Sequence, residues 1–156
     1  MLNPIKQIYA FNKEAGLLNK PYDDFLESSF LIEEALEGFD LDLCASQFAP
    51  LAESTEPTTS KSLSRAIVNA ADGKHIKLAP VDRLDKACDA VVYAVGSMAK
   101  LGLNPQQITQ ALNIVMQANF AKLGGPIDEF GKQLKPENWE EYAPEPALQA
   151  LLDSIK

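Results

Sequence analysis

Glu33-Glu34-Ala35-Leu36-Glu37 lies within a helical pattern running from Tyr22 to Phe39, with Phe25, Leu26, Phe30, Ile32, Leu36 and Phe39 supplying apolar surface. On a helix Glu34 and Glu37, three residues apart, share a face with Glu33 beside them. Adjacent carboxylates repel, so their crowding costs stability unless positive charge sits among them. A divalent cation would supply that charge. A solvated acidic face on a surface helix is the plainer alternative.

The rest of the chain sets the frame for that stretch. Its 156 residues predict one domain, 1–156, long enough for a real core. With 46% hydrophobic and 23% charged residues it has the balance of a soluble globular protein. Lys and Arg number 14 against 22 Asp and Glu, a net charge of −8, which argues against a nucleic-acid polymer or an anionic membrane as partner. A small phosphorylated ligand stays open, because a bound metal inverts the local charge. Cys44 and Cys88 have no metal-like spacing and adjoin apolar residues, so reduced core thiols are expected. No signal peptide and no apolar run of membrane length are present, which points to the cytoplasm.

Residues 4–15 read as a short amphipathic helix with Ile5, Ile8, Tyr9 and Phe11 inward, stopped by Gly16 and followed by a restart at Pro21. From 40 to 80 the pattern is less regular, an insertion holding at most brief helices and the one histidine, His75. Residues 81–101 form the clearest helix. Val81, Leu84, Cys88, Val91, Val92, Val95, Met98 and Ala99 make one broad stripe. Beside it lie Asp82, Asp85 and Asp89, stacked on one side. Asp82 suits the helix dipole, but Asp89 stands in mid-helix, where it has little local reason to be. Gly102 caps this helix, and Asn104-Pro105 opens the next, 105–122, with Ile108, Ala111, Leu112, Val115 and Met116 inward. Asn119 and Lys122 close it. An irregular, partly basic segment fills 124–144, anchored by Trp139, before a short helix from Pro146 to Ile155. No strand pattern appears. The fold class is therefore all-α.

Two long amphipathic helices thus carry carboxylates beside their apolar seams, and a third carries Asn and Lys. Antiparallel packing would bring both carboxylate sets into a bundle interior. A set of Glu and Asp without His or Cys suits Mg²⁺, or Mn²⁺, better than zinc, and leaves room for phosphates and water.

In its order of motifs the chain resembles the MazG-like all-α nucleoside triphosphate pyrophosphohydrolases, which include the dimeric dUTP pyrophosphatases and the phosphoribosyl-ATP pyrophosphohydrolases. The likeness rests on Glu33-Glu34-x-x-Glu37, Asp85-x-x-x-Asp89, Tyr93, Gly96, Lys100-Leu-Gly-Leu, Asn119-x-x-Lys122 and Gly131-Lys-Gln-Leu-Lys-Pro-x-x-Trp139. It implies a bundle of about four core helices with short peripheral ones, assembled as a homodimer or homotetramer. It implies Mg²⁺-dependent hydrolysis of a nucleoside triphosphate between its α- and β-phosphates. Glu34, Glu37 and Asp89 match the family's metal ligands, and Glu33 a carboxylate that shares the metal or takes a proton from the attacking water. Asn119 and Lys122 match groups that hold the nucleotide, with Lys132 and Lys135 closing from the C-terminal segment. One departure stands out. The family's second motif is Glu-x-x-Asp, but Lys86 occupies the place three before Asp89. Asp85 is expected to serve as fourth ligand and Lys86 to lean toward solvent or an acidic neighbour. The alternative is a non-catalytic helical nucleotide-binding or scaffold member of the same fold.

Overall fold

The computed structural model describes residues 3–36, 79–123, 125–128 and 132–155. Glu37, Phe39, Cys44, His75, Gly131, the side chain of Phe25 and nearly all of the 40–80 insertion lie outside the described residues. What is described is mostly helical: α1 (Pro4–Glu14), α2 (Asp24–Leu36), α3 (Pro80–Lys100), α4 (Pro105–Phe120) and α5 (Glu145–Asp153), with 3₁₀ turns at Leu17–Asn19 and Trp139–Glu141. There is no strand among the described residues, only an isolated antiparallel bridge between Ile127 and Gln133. None of these helices is long and apolar enough to cross a membrane. Contacts divide the chain into two compact units, residues 1–22 with 95–156 and residues 23–94.

Several helix ends are written into the sequence. The Asn3 side chain accepts the Ile5 N–H at 2.9 Å, and Pro4 takes the first turn of α1, where no N–H is needed. Gly16, at φ 72°, ends that segment in the left-handed region that glycine enters without a Cβ penalty. Helix α2 starts at Asp24, later than Pro21, because the Asp23 carboxylate caps it by accepting the Leu26 N–H at 2.9 Å. Gly102, at φ 97°, closes α3 with the pair of hydrogen bonds of a Schellman turn: Gly102 N–H to Ala99 O at 3.0 Å and Leu103 N–H to Met98 O at 3.4 Å. Asn104 and Gln107 then form a reciprocal capping box at the start of α4.

Among the described residues the buried apolar cluster lies in the first unit. Val95, Ala99, Leu103, Ile108, Ala111 and Leu151 are buried, and Ile5, Ile8, Tyr9, Leu18, Met98 and Ile114 pack around them. Ile108 is 0% exposed. Burial of one such side chain stabilises by about 1.5–3 kcal/mol. Several residues expected inward are not. Phe11 is exposed because the inner stripe of α1 runs Ile5, Ile8, Asn12 and leaves Phe11 off it. Leu112, Val115 and Met116 are exposed because α4 turns Ile108, Ala111, Ile114 and Ala118 inward instead. On α2, Leu26 and Ile32 are exposed, while Glu27 and Glu34 are buried. On α3, Val81, Leu84 and Val91 are exposed and so is the Cys88 thiol, against the expectation of a core cysteine. Periodicity shows that a helix has an apolar face, not which part of that face finds a partner.

One contact in the first unit is tighter than ordinary packing. A Cβ built on Gly96 would lie 2.9 Å from Asn12 Oδ1. Asn12 is itself buried, its Nδ2 donating to Ile8 O at 2.9 Å, so it has little room to yield. Gly96→Ala gains about 1 kcal/mol of helix propensity but overpacks by roughly 1–3 kcal/mol. It is expected to lower stability in urea titrations. In an Asn12→Ala background the clash is gone, and the same change should turn stabilising.

Candidate functional site

In the second unit two contacts set α2 against α3. The rings of Phe30 and Tyr93 stack with centroids 5.2 Å apart and planes 19° apart. Lys86 Nζ donates to Ala35 O at 3.2 Å. Moving forward from Phe30 to Ala35 on α2 means moving back from Tyr93 to Lys86 on α3, so the two helices run antiparallel. Interpolating between those contacts sets Glu33 and Glu34 level with the turn Ala87–Asp89, and Asp85 level with the end of α2 at Leu36. The antiparallel run of the two carboxylate helices is therefore present, but Glu33, Asp85 and Asp89 are exposed and not drawn into a bundle interior.

The four described carboxylates differ in setting. Glu34 is 6% exposed, whereas Glu33, Asp85 and Asp89 are exposed. A buried carboxylate is retained only where positive charge or hydrogen-bond donors answer it. The donor set is all hard oxygen, the chemistry that suits Mg²⁺. Yet among the described residues no three His, Cys, Asp or Glu side chains form a group that could hold a metal ion. Glu37, the remaining member of the set, lies outside them. Among the described residues the Lys86 ammonium meets a backbone carbonyl, where the sequence suggests solvent or an acidic neighbour. Lys86 is half-buried and donates to Ala35 O in the last described turn of α2.

The first unit carries the cationic set. Lys122 stands in the turn after α4, its N–H bonded to Asn119 O at 3.1 Å and its Nζ donating to Asn119 Oδ1 at 2.7 Å. The same Nζ lies 5.0 Å from the centroid of the Trp139 ring. Lys135 Nζ lies 4.9 Å from that ring. The two nitrogens are thus no more than about 10 Å apart, and in bulk water they repel by about 0.4 kcal/mol or more. Each ammonium gains about 0.5–1 kcal/mol over the indole, which offsets the repulsion. Lys132 enters differently, through its backbone. Its N–H donates to Asp128 Oδ1 at 3.0 Å and its carbonyl accepts the Asp128 N–H at 2.9 Å, pinning the segment that leads to Lys135. Leu134 N–H to Pro126 O at 2.8 Å adds a second tie.

Compared with protein-family models, curated proteins and solved structures, the chain matches none. The candidate site therefore rests on its own geometry.

Two participants were not anticipated from the sequence. Glu27 is buried exactly as Glu34 is, two helical turns before it on α2; an i, i+7 spacing was the available signal. Trp139 was read as an anchor, but its ring gathers two lysines drawn from segments 13 residues apart. Nothing in residue spacing announces that convergence. A cavity of about 230 Å³ lies nearby in sequence, lined by Ile114, Gln117 and Ala118 of α4 and by Tyr142 and Ala147.

The α2–α3 register can be tested directly. In a double-mutant cycle Phe30→Ala and Tyr93→Ala should couple by about 0.5–1.5 kcal/mol, the worth of a stacked aromatic pair beyond its burial. Additive losses of stability would show that the two rings do not meet.

Proposed function

We propose that this chain is a MazG-like nucleoside triphosphate pyrophosphohydrolase that cleaves between the α- and β-phosphates and releases the nucleoside monophosphate and pyrophosphate. The observation that supports it is the antiparallel register of α2 and α3, with Glu33 and Glu34 level with Asp89. Glu34, Glu37, Asp85 and Asp89 would hold Mg²⁺, with Mn²⁺ as a substitute. Bound there, the cation supplies charge neutralisation at the phosphate oxygens and acidifies a bound water. Glu33, exposed beside buried Glu34, takes the proton as the water oxygen bonds to the α-phosphorus and the bond to the pyrophosphate oxygen breaks. Asn119 and Lys122 bind phosphate through a charge-assisted contact, and Lys132 and Lys135 close over it.

A second reading, a nucleotide-binding member without turnover, is favoured by Lys86. Its ammonium occupies the turn where the family motif has an acid, and it reaches Ala35, the neighbour of Glu34. Pyrophosphate release with added Mg²⁺ separates the two readings. A binding protein is stabilised by nucleotide but releases nothing. For the enzyme, Glu34→Gln and Asp85→Asn should each abolish or nearly abolish turnover, since a neutral amide is a poor ligand for a hard cation. Lys86→Ala should leave most of the rate. Near-normal turnover in both acid variants would dismiss the metal site.

The proposed architecture is a bundle of about four core helices that assembles as a homodimer or homotetramer. Exposed Val81, Leu84, Cys88 and Val91 support assembly, for they recur at helical spacing along one face of α3. Sedimentation at micromolar concentration should give at least twice the chain mass, and Leu84→Glu should return it to the monomer. A monomer in the unsubstituted chain would refute this part of the proposal.

A further inference from the structure

We infer that Trp139 is a positioning residue that turns Lys122 and Lys135 into a paired site for the oxyanions of an oligophosphate. This deepens the reading above, on which it depends only for identifying the oligophosphate as part of a nucleotide. The indole lies under both ammonium groups, at 5.0 Å and 4.9 Å. The amide of Asn119 fixes one of them at 2.7 Å. The loop ties at Asp128–Lys132 and Pro126–Leu134 restrict the backbone that carries the other. Among the described residues neither lysine is paired with a carboxylate in these contacts. An aromatic face attracts a cation without neutralising it. In these contacts each ammonium still has N–H donors to offer an incoming anion, which a salt bridge would engage. An oligophosphate carries negative charge on successive phosphate groups and can engage both lysines at once, which a single small anion does less well.

The test uses the full chain and tripolyphosphate, alone, as probe, with binding followed calorimetrically and by the emission of Trp139, the sole tryptophan. Lys122→Ala and Lys135→Ala should each weaken tripolyphosphate binding about tenfold or more, as expected for loss of a charge-assisted contact. Trp139→Leu should weaken it about fivefold while Trp139→Phe restores most of the affinity, since phenylalanine keeps an aromatic face. Melting temperatures should not follow that order; a purely structural role for Trp139 would make affinity and melting fall together in both variants. If Trp139→Leu does not fold, emission decides. A saturable change with tripolyphosphate in the unsubstituted chain, lost in Lys135→Ala, supports the site, and no change overturns it. Unaltered affinity in Trp139→Leu, or in both lysine variants, also overturns it. A parallel arm with a nucleoside triphosphate keeps the two proposals distinct. Tripolyphosphate binding without nucleotide turnover sinks the enzyme and leaves this site standing. Turnover with tripolyphosphate affinity indifferent to all these variants does the reverse.

Discussion

The stacking of Phe30 on Tyr93 is the constraint on which the reading of the acidic helices depends. Helices without a fixed register can slide or turn, and their carboxylates then have no defined neighbours. A ring pair at 5.2 Å, together with one lysine reaching a carbonyl, removes that freedom. It also decides which faces meet. The turn of α2 that carries Glu33 and Glu34 comes level with the turn Ala87–Asp89, and Glu34 is buried.

Withdrawing polar side chains from water is costly unless they are answered by partners, and this chain does it at three described positions. Glu27 and Glu34 are buried on α2, and Asn12 is buried in the first unit against Gly96. Apolar residues of comparable size would fold at lower cost. Leu26 and Ile32 on the same helix stay exposed, so the arrangement does not reflect a shortage of apolar side chains. On α2, then, two acids are buried while aliphatic side chains stay exposed; on α3 the acids Asp82, Asp85 and Asp89 are exposed.

The cationic side is built on the opposite principle. Lys122 and Lys135 are gathered by an aromatic ring and an amide, which hold position without cancelling charge. Lys86 is spent on a helix carbonyl, which gives it a local structural task. The lysines thus differ in their described partners: an aromatic ring for Lys122 and Lys135, a backbone carbonyl for Lys86.

Much of this was legible from the residues alone. Gly16, Gly102, Asn104 and Pro105 mark helix ends through backbone geometry and local hydrogen bonds, which involve neighbours in the chain and so are written in short stretches. The helical class and the spacing of Glu33, Glu34, Asp85 and Asp89 are legible for the same reason. Which stripe of each helix turns inward was not. Phe11, Leu112, Val81 and Leu84 have the character of core residues and lie exposed, because burial depends on the surface a helix meets and not on its own period. The tertiary structure alone decided the level of Glu34 against Asp89, the reach of Lys86 to Ala35, and the meeting of two lysines over Trp139. Each joins groups far apart in the chain or placed by an irregular segment, and long-range contact leaves no periodic trace in a sequence.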